Sequence, residues 1–132
     1  MDRRAWVGMW VASLGLSFAG CEDGPVRLTP VRGRVSYKGD YLRGGIIVFT
    51  PDPARNSDGP LSHAEIQSDG SYVLGGDDGP GAIPGWHRVT ITAFGDGDGR
   101  QALPARYGDP EQSGLRFEVK PGQDNVIDIE LE

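Results

Sequence analysis

The sequence contains a single cysteine, two histidines and no uncharged apolar run as long as a membrane-spanning helix requires. One cysteine excludes an intrachain disulfide, so a folded domain has to be stabilised by its apolar core. Positive charge is scarce as well, because 13 Lys and Arg face 19 Asp and Glu, for a formal net charge of −6. This acidic balance disfavours nucleic acid as a partner and also disfavours direct attraction to anionic membrane surfaces, since both bind basic surfaces.

The start of the chain differs from the remainder. Its basic first residues are followed by residues 5–19, which carry no charge, and this run is shorter than the roughly 20 apolar residues of a spanning helix. A basic start before a short apolar run is typical of a signal peptide. The run ends in Phe18-Ala19-Gly20-Cys21, which resembles a bacterial lipobox. The resemblance implies diacylglyceryl transfer to the Cys21 thiol, cleavage before Cys21 and acylation, as with palmitate, of the new amino group.

We therefore predict a lipoprotein signal peptide over residues 1–20 and a polar tether over residues 21–29. Loss of residues 1–20 removes one acidic and two basic residues, so the formal net charge of −6 becomes −7. Two alternatives stay open: a plain signal peptide beside an unmodified cysteine, and a twin-arginine export signal at Arg3-Arg4. The prediction places the chain in the bacterial cell envelope, with the membrane as a partner through the lipid on Cys21.

Residues 30–132 consist of short apolar runs that are separated by turns rich in glycine and proline. Most of these runs alternate apolar and polar residues, which is typical of half-buried strands. The expected strands cover residues 31–38, 46–50, 61–67, 72–74, 86–94, 115–120 and 127–132. Their number and spacing predict an all-β fold: one immunoglobulin-like or prealbumin-like sandwich of about seven antiparallel strands, with a single helical turn near residues 103–107.

Two turn signals support this organisation. Lys38-Gly39-Asp40 predicts a turn after the first strand, because glycine adopts positive φ freely. Ser68-Asp69-Gly70-Ser71 predicts a hairpin with a type I′ turn at Asp69-Gly70. The strand over residues 61–67 is polar, and we expect it at a sheet edge.

Each short combination of glycine and apolar residues in this chain is common in β-proteins, but their order along the sequence is distinctive. The first series runs Gly33-x-Val35, Gly39, Leu42, Gly45-x-Ile47-x-Phe49, Asp69-Gly70-x-Tyr72 and Pro84-Gly85-Trp86-x-x-Val89-x-Ile91. It resembles the carboxypeptidase-regulatory-like domain, a transthyretin-like β-sandwich close to the collagen-adhesin B-type repeat. A later series runs Leu103-Pro104-Ala105-x-Tyr107, Ser113-Gly114-Leu115, Val119, Pro121-Gly122 and Asn125. It resembles small lipoproteins of that fold in planctomycete-type bacteria, which implies a fold and a location but no activity.

Candidate binding residues are few. Trp86 and Tyr107 lie beside predicted loops, where aromatic rings can contact a carbohydrate or peptide ligand, although most aromatic residues of this chain alternate inward. Asp77-Asp78 and residues 96–99 form acidic, glycine-rich loops of the kind that supply oxygen ligands to calcium, and Asp96 and Asp98 are the candidate ligands. An ordinary surface loop is favoured, because Arg100 and Tyr107 stand where an EF-hand series needs further oxygen ligands. We expect no bound metal and no cofactor.

Catalytic residues are not expected either. His63 and His87 are separated in sequence and lack an evident ligand set or nucleophile partner. We therefore predict a non-enzymatic, monomeric domain that binds or scaffolds at the cell envelope, with an envelope protein or glycan as partner. The alternatives are a carbohydrate- or peptide-binding module that acts through its end loops and, less favoured, a hydrolytic enzyme.

Overall fold

The computed structural model describes residues 27–94 and 103–132, which form short strands and two 3₁₀ turns but no α-helix. The 3₁₀ turns span Pro53–Arg55 and Ala105–Gly108. The strands are β1 (Val31–Tyr37), β2 (Asp40–Tyr41), β3 (Gly45–Pro51), β4 (Ser62–Ile66), β5 (Ser71–Val73), β6 (Gly75–Gly76), β7 (Gly79–Pro80), β8 (Gly85–Ala93), β9 (Arg116–Val119), β10 (Asn125–Val126) and β11 (Ile129–Leu131). The prediction of an all-β fold is confirmed, although the regular runs are divided into more strands than the seven expected.

The first sheet is built around β1. Arg32 is paired with Val73 of β5 and with Val126 of β10, and Ser36 is paired with Tyr41 of β2 and with Glu130 of β11. Both halves of β1 are therefore paired on both edges. The alternation of Val and Arg along β1 turns its valines to the core and its arginines outward.

The second sheet has the strand order β7-β6-β4-β3-β8-β9. Its longest ladder joins β3 and β8, from Gly45 opposite Ala93 to Pro51 opposite His87. β9 forms one edge of this sheet, where it pairs with β8 from Gly85 opposite Val119 to Arg88 opposite Arg116. The buried alternate residues of β3, β4 and β8 all point toward the first sheet.

The core lies between the two sheets. Residues of both contribute to one cluster of buried apolar side chains, and the rings of Phe49 in β3 and Tyr72 in β5 lie 6.4 Å apart between centroids. Leu42 and Leu74, which lie between strands, are also fully buried. The architecture is sandwich-like, and burial of this cluster is what stabilises a domain without a disulfide.

The expectation that all strands are antiparallel is wrong at β1. β10 and β11 run parallel to β1, with Val31 opposite Asn125 and Val35 opposite Ile129. Between these two short ladders the main-chain N–H of Arg34 donates to the carboxylate Oδ1 of Asp128 at 3.0 Å. A side-chain oxygen thus takes the place of a main-chain acceptor, which explains why the predicted last strand is divided in two.

The predicted turn after the first strand is confirmed, whereas the type predicted for the turn at Asp69-Gly70 is wrong. Lys38 and Gly39 both have positive φ, 53° and 90°, and join the paired residues Tyr37 and Asp40, which is the pattern of a type I′ hairpin. Gly70 has a φ of 84°, as a type I′ turn requires at its second central residue. The turn would also need positive φ at Asp69, but among the described non-glycine residues only Lys38 and Asn56 have it. The turn at Asp69-Gly70 is therefore not type I′.

The same turn does not close a hairpin within one sheet. β4 pairs with β3 in the second sheet, whereas β5 pairs with β1 in the first. The chain therefore crosses from one sheet to the other at residues 67–70. β4 is also paired on its other side, where His63 lies opposite Gly75 of β6, so the expectation of an edge strand at residues 61–67 is wrong.

Gly33 marks the closest approach of two backbones in the first sheet. A Cβ atom at this position would overlap the main-chain carbonyl of Ile127, the same carbonyl that accepts a hydrogen bond from the Tyr72 hydroxyl. We expect Gly33→Ala to lower the free energy of unfolding by about 3 kcal/mol, because the overlap displaces β1 from its partners. Gly44→Ala is the control, since its Cβ would lie in ordinary contact, 3.6 Å from Phe94. Urea denaturation measures both, and equal losses would contradict this account.

Candidate functional site

A group of charged and aromatic residues lies on the outer face of the second sheet, where β3 ends and β8 begins. We call it the arginine cluster and define it by five residues: Asp52, Arg55, Trp86, Arg88 and Arg116. The alternation of β8 and β9 turns Trp86, Arg88 and Arg116 outward, while their neighbours His87 and Val119 are buried.

Asp52 occupies the centre of the cluster. It follows the last residue of β3, and Pro53 after it begins the 3₁₀ turn. The Asp52 side chain accepts a hydrogen bond from the N–H of Ala54 at 3.0 Å and thereby caps that turn. Asp52 is only 1% exposed, which is unusual for a carboxylate unless it is paired.

Two arginines lie against this buried carboxylate. The Nε of Arg88 donates to Asp52 Oδ1 at 3.0 Å, and the Nε of Arg116 lies 3.6 Å from Asp52 Oδ2. The second distance is an ion pair and is too long for a hydrogen bond, so Oδ2 has no hydrogen-bond partner in the described part of the chain. Arg88 and Arg116 are directly opposite each other on β8 and β9, and like charges in this position repel. The negative charge of Asp52 between the two guanidiniums offsets this repulsion.

Trp86 is held beside them by its main chain. Its N–H donates to the Ser57 hydroxyl at 3.0 Å, and its carbonyl accepts from the N–H of Asp52 at 2.9 Å. The Arg55 guanidinium carbon lies 4.4 Å from the centroid of the half-buried Trp86 ring, a cation–π contact. The loop that follows β3 thus covers one face of Trp86 with a cation.

The cluster has more positive than negative charge, in an otherwise acidic protein. Two guanidiniums, of Arg88 and Arg116, lie against one buried carboxylate, and that of Arg55 lies over the Trp86 ring. The exposed carboxylates nearest in the fold are Glu118, opposite Trp86 on β9, and Asp58 in the loop after β3. Guanidinium groups present several N–H donors in a plane and bind carboxylate and phosphate oxygens in pairs. The arrangement is therefore suited to binding an anionic group, with an aromatic ring beside it.

Sequence reasoning found Trp86 but missed the rest of this cluster. Alternation makes Arg88 and Arg116 no more than polar positions within the expected strands 86–94 and 115–120, and Asp52 lies outside every expected strand. The available signal was Pro51-Asp52-Pro53, since a carboxylate between two prolines at a strand end has few local partners. That pattern does not say which arginines approach it.

Tyr107 does not join Trp86. It is 4% exposed, and its hydroxyl donates to the carbonyl of Glu132 at 3.0 Å and accepts from the N–H of Glu132 at 3.1 Å. Arg106 covers the ring and donates to the hydroxyl, which lowers the Tyr107 pKa. The neighbouring Gly108 lies against Thr92, near the end of β8, whereas Trp86 lies near its start. The two rings therefore do not form one platform, and the Tyr107 ring is not an open stacking surface.

The two histidines lie on opposite faces of the second sheet. His63 is exposed on β4, whereas His87 is fully buried, with Nε2 donating to the carbonyl of Ile83 at 2.9 Å. Nδ1 of His87 has no hydrogen-bond partner among the described residues. Burial lowers the His87 pKa below 6.5, against the smaller opposing effect of the Ile83 carbonyl. The two imidazoles cannot act together on one substrate.

The remaining candidate residues, Cys21, Asp96 and Asp98, lie outside the described residues. Within residues 27–94 and 103–132, no three His, Cys, Asp or Glu side chains are grouped so as to hold a metal ion. The same part of the chain contains no helix of the length and apolar character needed to cross a membrane. Comparison of the sequence with family models and curated proteins, and of the structure with solved structures, finds no match. The resemblances described above stay predictions.

Asp52 is predicted to be essential for the stability of this corner. Asp52→Ala removes the cap of the 3₁₀ turn and leaves Arg88 partly buried without its partner, which costs about 3 kcal/mol of unfolding free energy. Asp124→Ala is the control, because the Asp124–Arg32 ion pair at 3.2 Å is exposed and is worth less than about 1 kcal/mol. Urea denaturation distinguishes the two; a similar small loss in both variants contradicts the role given to Asp52.

Because His87 is buried, we expect the stability of the folded domain to depend on pH. The folded state keeps the ring neutral, whereas the unfolded chain takes up a proton near the ordinary pKa of 6.5. Stability is therefore complete above that pH and falls as the pH decreases toward 5, by up to about 1.4 kcal/mol per pH unit. Thermal or urea denaturation between pH 5 and 7.5, roughly the range that a histidine spans, measures this slope. His87→Gln should flatten it, and His63→Gln should not.

Proposed function

We propose that this chain is a lipid-anchored protein of the bacterial cell envelope. Cys21 carries the lipid, residues 21–29 form the tether, and residues 30–132 form an immunoglobulin-like or prealbumin-like sandwich of the carboxypeptidase-regulatory-like type. The apolar, uncharged run that ends at Cys21 and the onset of strands shortly after it support this proposal.

The domain acts by binding, and its site is the arginine cluster. The observation that carries this conclusion is the direct opposition of Arg88 and Arg116 over one buried carboxylate. A protein gains nothing in stability from placing two arginines opposite each other. An anionic ligand supplies the missing negative charge and accepts hydrogen bonds from guanidinium N–H groups other than the Nε groups that face Asp52. The ligand class is an envelope component that carries carboxylate or phosphate groups.

Binding is favoured over catalysis by the state of the polar groups in this region. Asp52 is buried behind Arg88 and Arg116, so its carboxylate is out of reach of a substrate at the surface. His87 points into the core, away from the cluster. What the outer face offers is fixed positive charge beside Trp86, which suits recognition.

The proposal is tested with the full chain, produced in cells supplied with labelled palmitate and purified in detergent. Calorimetry measures its dissociation constants for inorganic phosphate and for polygalacturonate, a carboxylate polymer. We expect Arg116→Gln and Arg55→Gln each to weaken binding about tenfold, the loss of one charge-assisted hydrogen bond. Arg43→Gln, exposed and remote from the cluster, serves as the matched control and should bind like the parent.

Cys21→Ser tests the anchor in the same preparations. The variant should lose the palmitate label and leave the membrane fraction. Retention of the label in this variant contradicts the lipoprotein assignment. Absence of binding to both anions contradicts the assignment of the arginine cluster as the binding site. An equal loss of affinity in Arg43→Gln would show that the net charge of the protein, and not the arginine cluster, determines the binding.

A further inference from the structure

The arginine cluster lies at the end of the domain where the tether arrives. Thr29 forms a two-way main-chain pair with Ala82, at 2.8 and 3.0 Å, shortly before β8 begins. Residues 27–30 also border a cleft together with Pro84 and Pro121. Pro84 lies two residues before Trp86, and Gly85 is paired with Val119 at the end of β9. The start of the domain and the cluster therefore share one end of the second sheet.

The tether brings that end close to the lipid. Arg27 is six residue steps after Cys21, and even a fully extended chain of this length spans only about 20 Å. If the lipid is on Cys21, Arg27 therefore lies within about 20 Å of the membrane surface, at the end of the domain that also holds Trp86. Among anionic groups of the envelope, lipid headgroups are consequently always within its reach.

The charges of this end are unevenly distributed. Arg55 and Arg116 are exposed on the side of β9, and Lys120 continues the outward positions of that strand. Asp77 and Asp78 lie in the β6–β7 turn at the other edge of the sheet, about four strand spacings or roughly 20 Å away. That separation is about twice the screening length at physiological ionic strength. Glu118 lies between Arg116 and Lys120 on the outward face of β9, and Asp58 lies in the loop after β3. The β9 side therefore holds a small local excess of positive charge although the chain as a whole is acidic.

We propose that the arginine cluster binds the phosphate of anionic lipid headgroups in the same membrane that holds the anchor. This inference rests on the proposed function and names the ligand of that same site. Arginine forks bind phosphate oxygens in pairs, and tryptophan is favoured at the depth of the headgroups. The anchor holds the domain at high effective concentration beside the membrane, so a site of weak intrinsic affinity is enough to be occupied.

Headgroup binding fixes the orientation of the domain. The side formed by β9 and the loop after β3 lies on the membrane, because Arg55, Trp86 and Arg116 all belong to it. The outer face of the first sheet, with the exposed Val73 and Val126 on either side of Arg32, then points away from the bilayer.

The experiment uses the full lipidated chain reconstituted in vesicles of phosphatidylcholine, with or without phosphatidylglycerol. Brominated phosphatidylcholine quenches tryptophans that approach the bilayer, and the difference between the parent and Trp86→Phe isolates the signal of Trp86. We expect quenching of Trp86 in the anionic vesicles and little in the neutral ones. Arg55→Gln and Arg116→Gln should each reduce the ratio of docked to undocked domain about fivefold, the effect of one basic residue beside an anionic surface.

Arg43→Gln removes the same charge elsewhere and should leave the quenching unchanged. High salt should release the domain, because screening at molar concentration reduces the range of these charges to about 3 Å. Equal quenching in both kinds of vesicle, or no difference between Arg116→Gln and Arg43→Gln, overturns the inference. If Trp86 is not quenched but phosphate or polygalacturonate binds in solution, headgroup docking is wrong while the proposed function stands. If neither occurs, both fail.

Discussion

The pairing of β1 on both of its edges is the constraint on which the first sheet depends. β2 reaches it through the adjoining hairpin, β5 from the middle of the chain, and β10 and β11 from the last residues described. Gly33 allows the backbone of Ile127 to come this close, and the hydroxyl of Tyr72 bonds to the same carbonyl. Without this junction the second sheet would have nothing to cover its apolar face, because the core is shared between the two sheets.

The outer face of the second sheet shows a different use of the same strands. Inward positions of β8 provide the core, and the outward positions between them hold Trp86 and Arg88 at fixed spacing. Asp52 then fixes the guanidiniums of Arg88 and Arg116 relative to each other. A rigid sheet with a buried carboxylate behind it is a good support for a charged recognition surface, because little side-chain entropy is left to lose when the ligand arrives.

Most strands could be predicted from the sequence because alternation of apolar and polar residues is a local property. It located β1 and β8 within one residue of their observed bounds. Strand direction could not be predicted in this way, since the pattern around Val35 and Ile129 is the same for parallel and antiparallel neighbours. The arginine cluster could not be predicted for a related reason: Asp52, Arg88 and Arg116 meet only through the ladders that join β3, β8 and β9. Trp86 could be predicted as a candidate because a large aromatic residue beside a loop can be recognised from the local sequence alone.

The parallel pairing of β1 also bears on how the molecule is made. Val35 and Ile129, which lie more than ninety positions apart, must meet before the first sheet is complete. A ribosome therefore releases nearly the whole chain before this sheet can assemble, and long-range pairing of this kind is slow. Until the residues of β10 and β11 are available, one edge of β1 has no partner strand and exposes unpaired main-chain N–H and C=O groups.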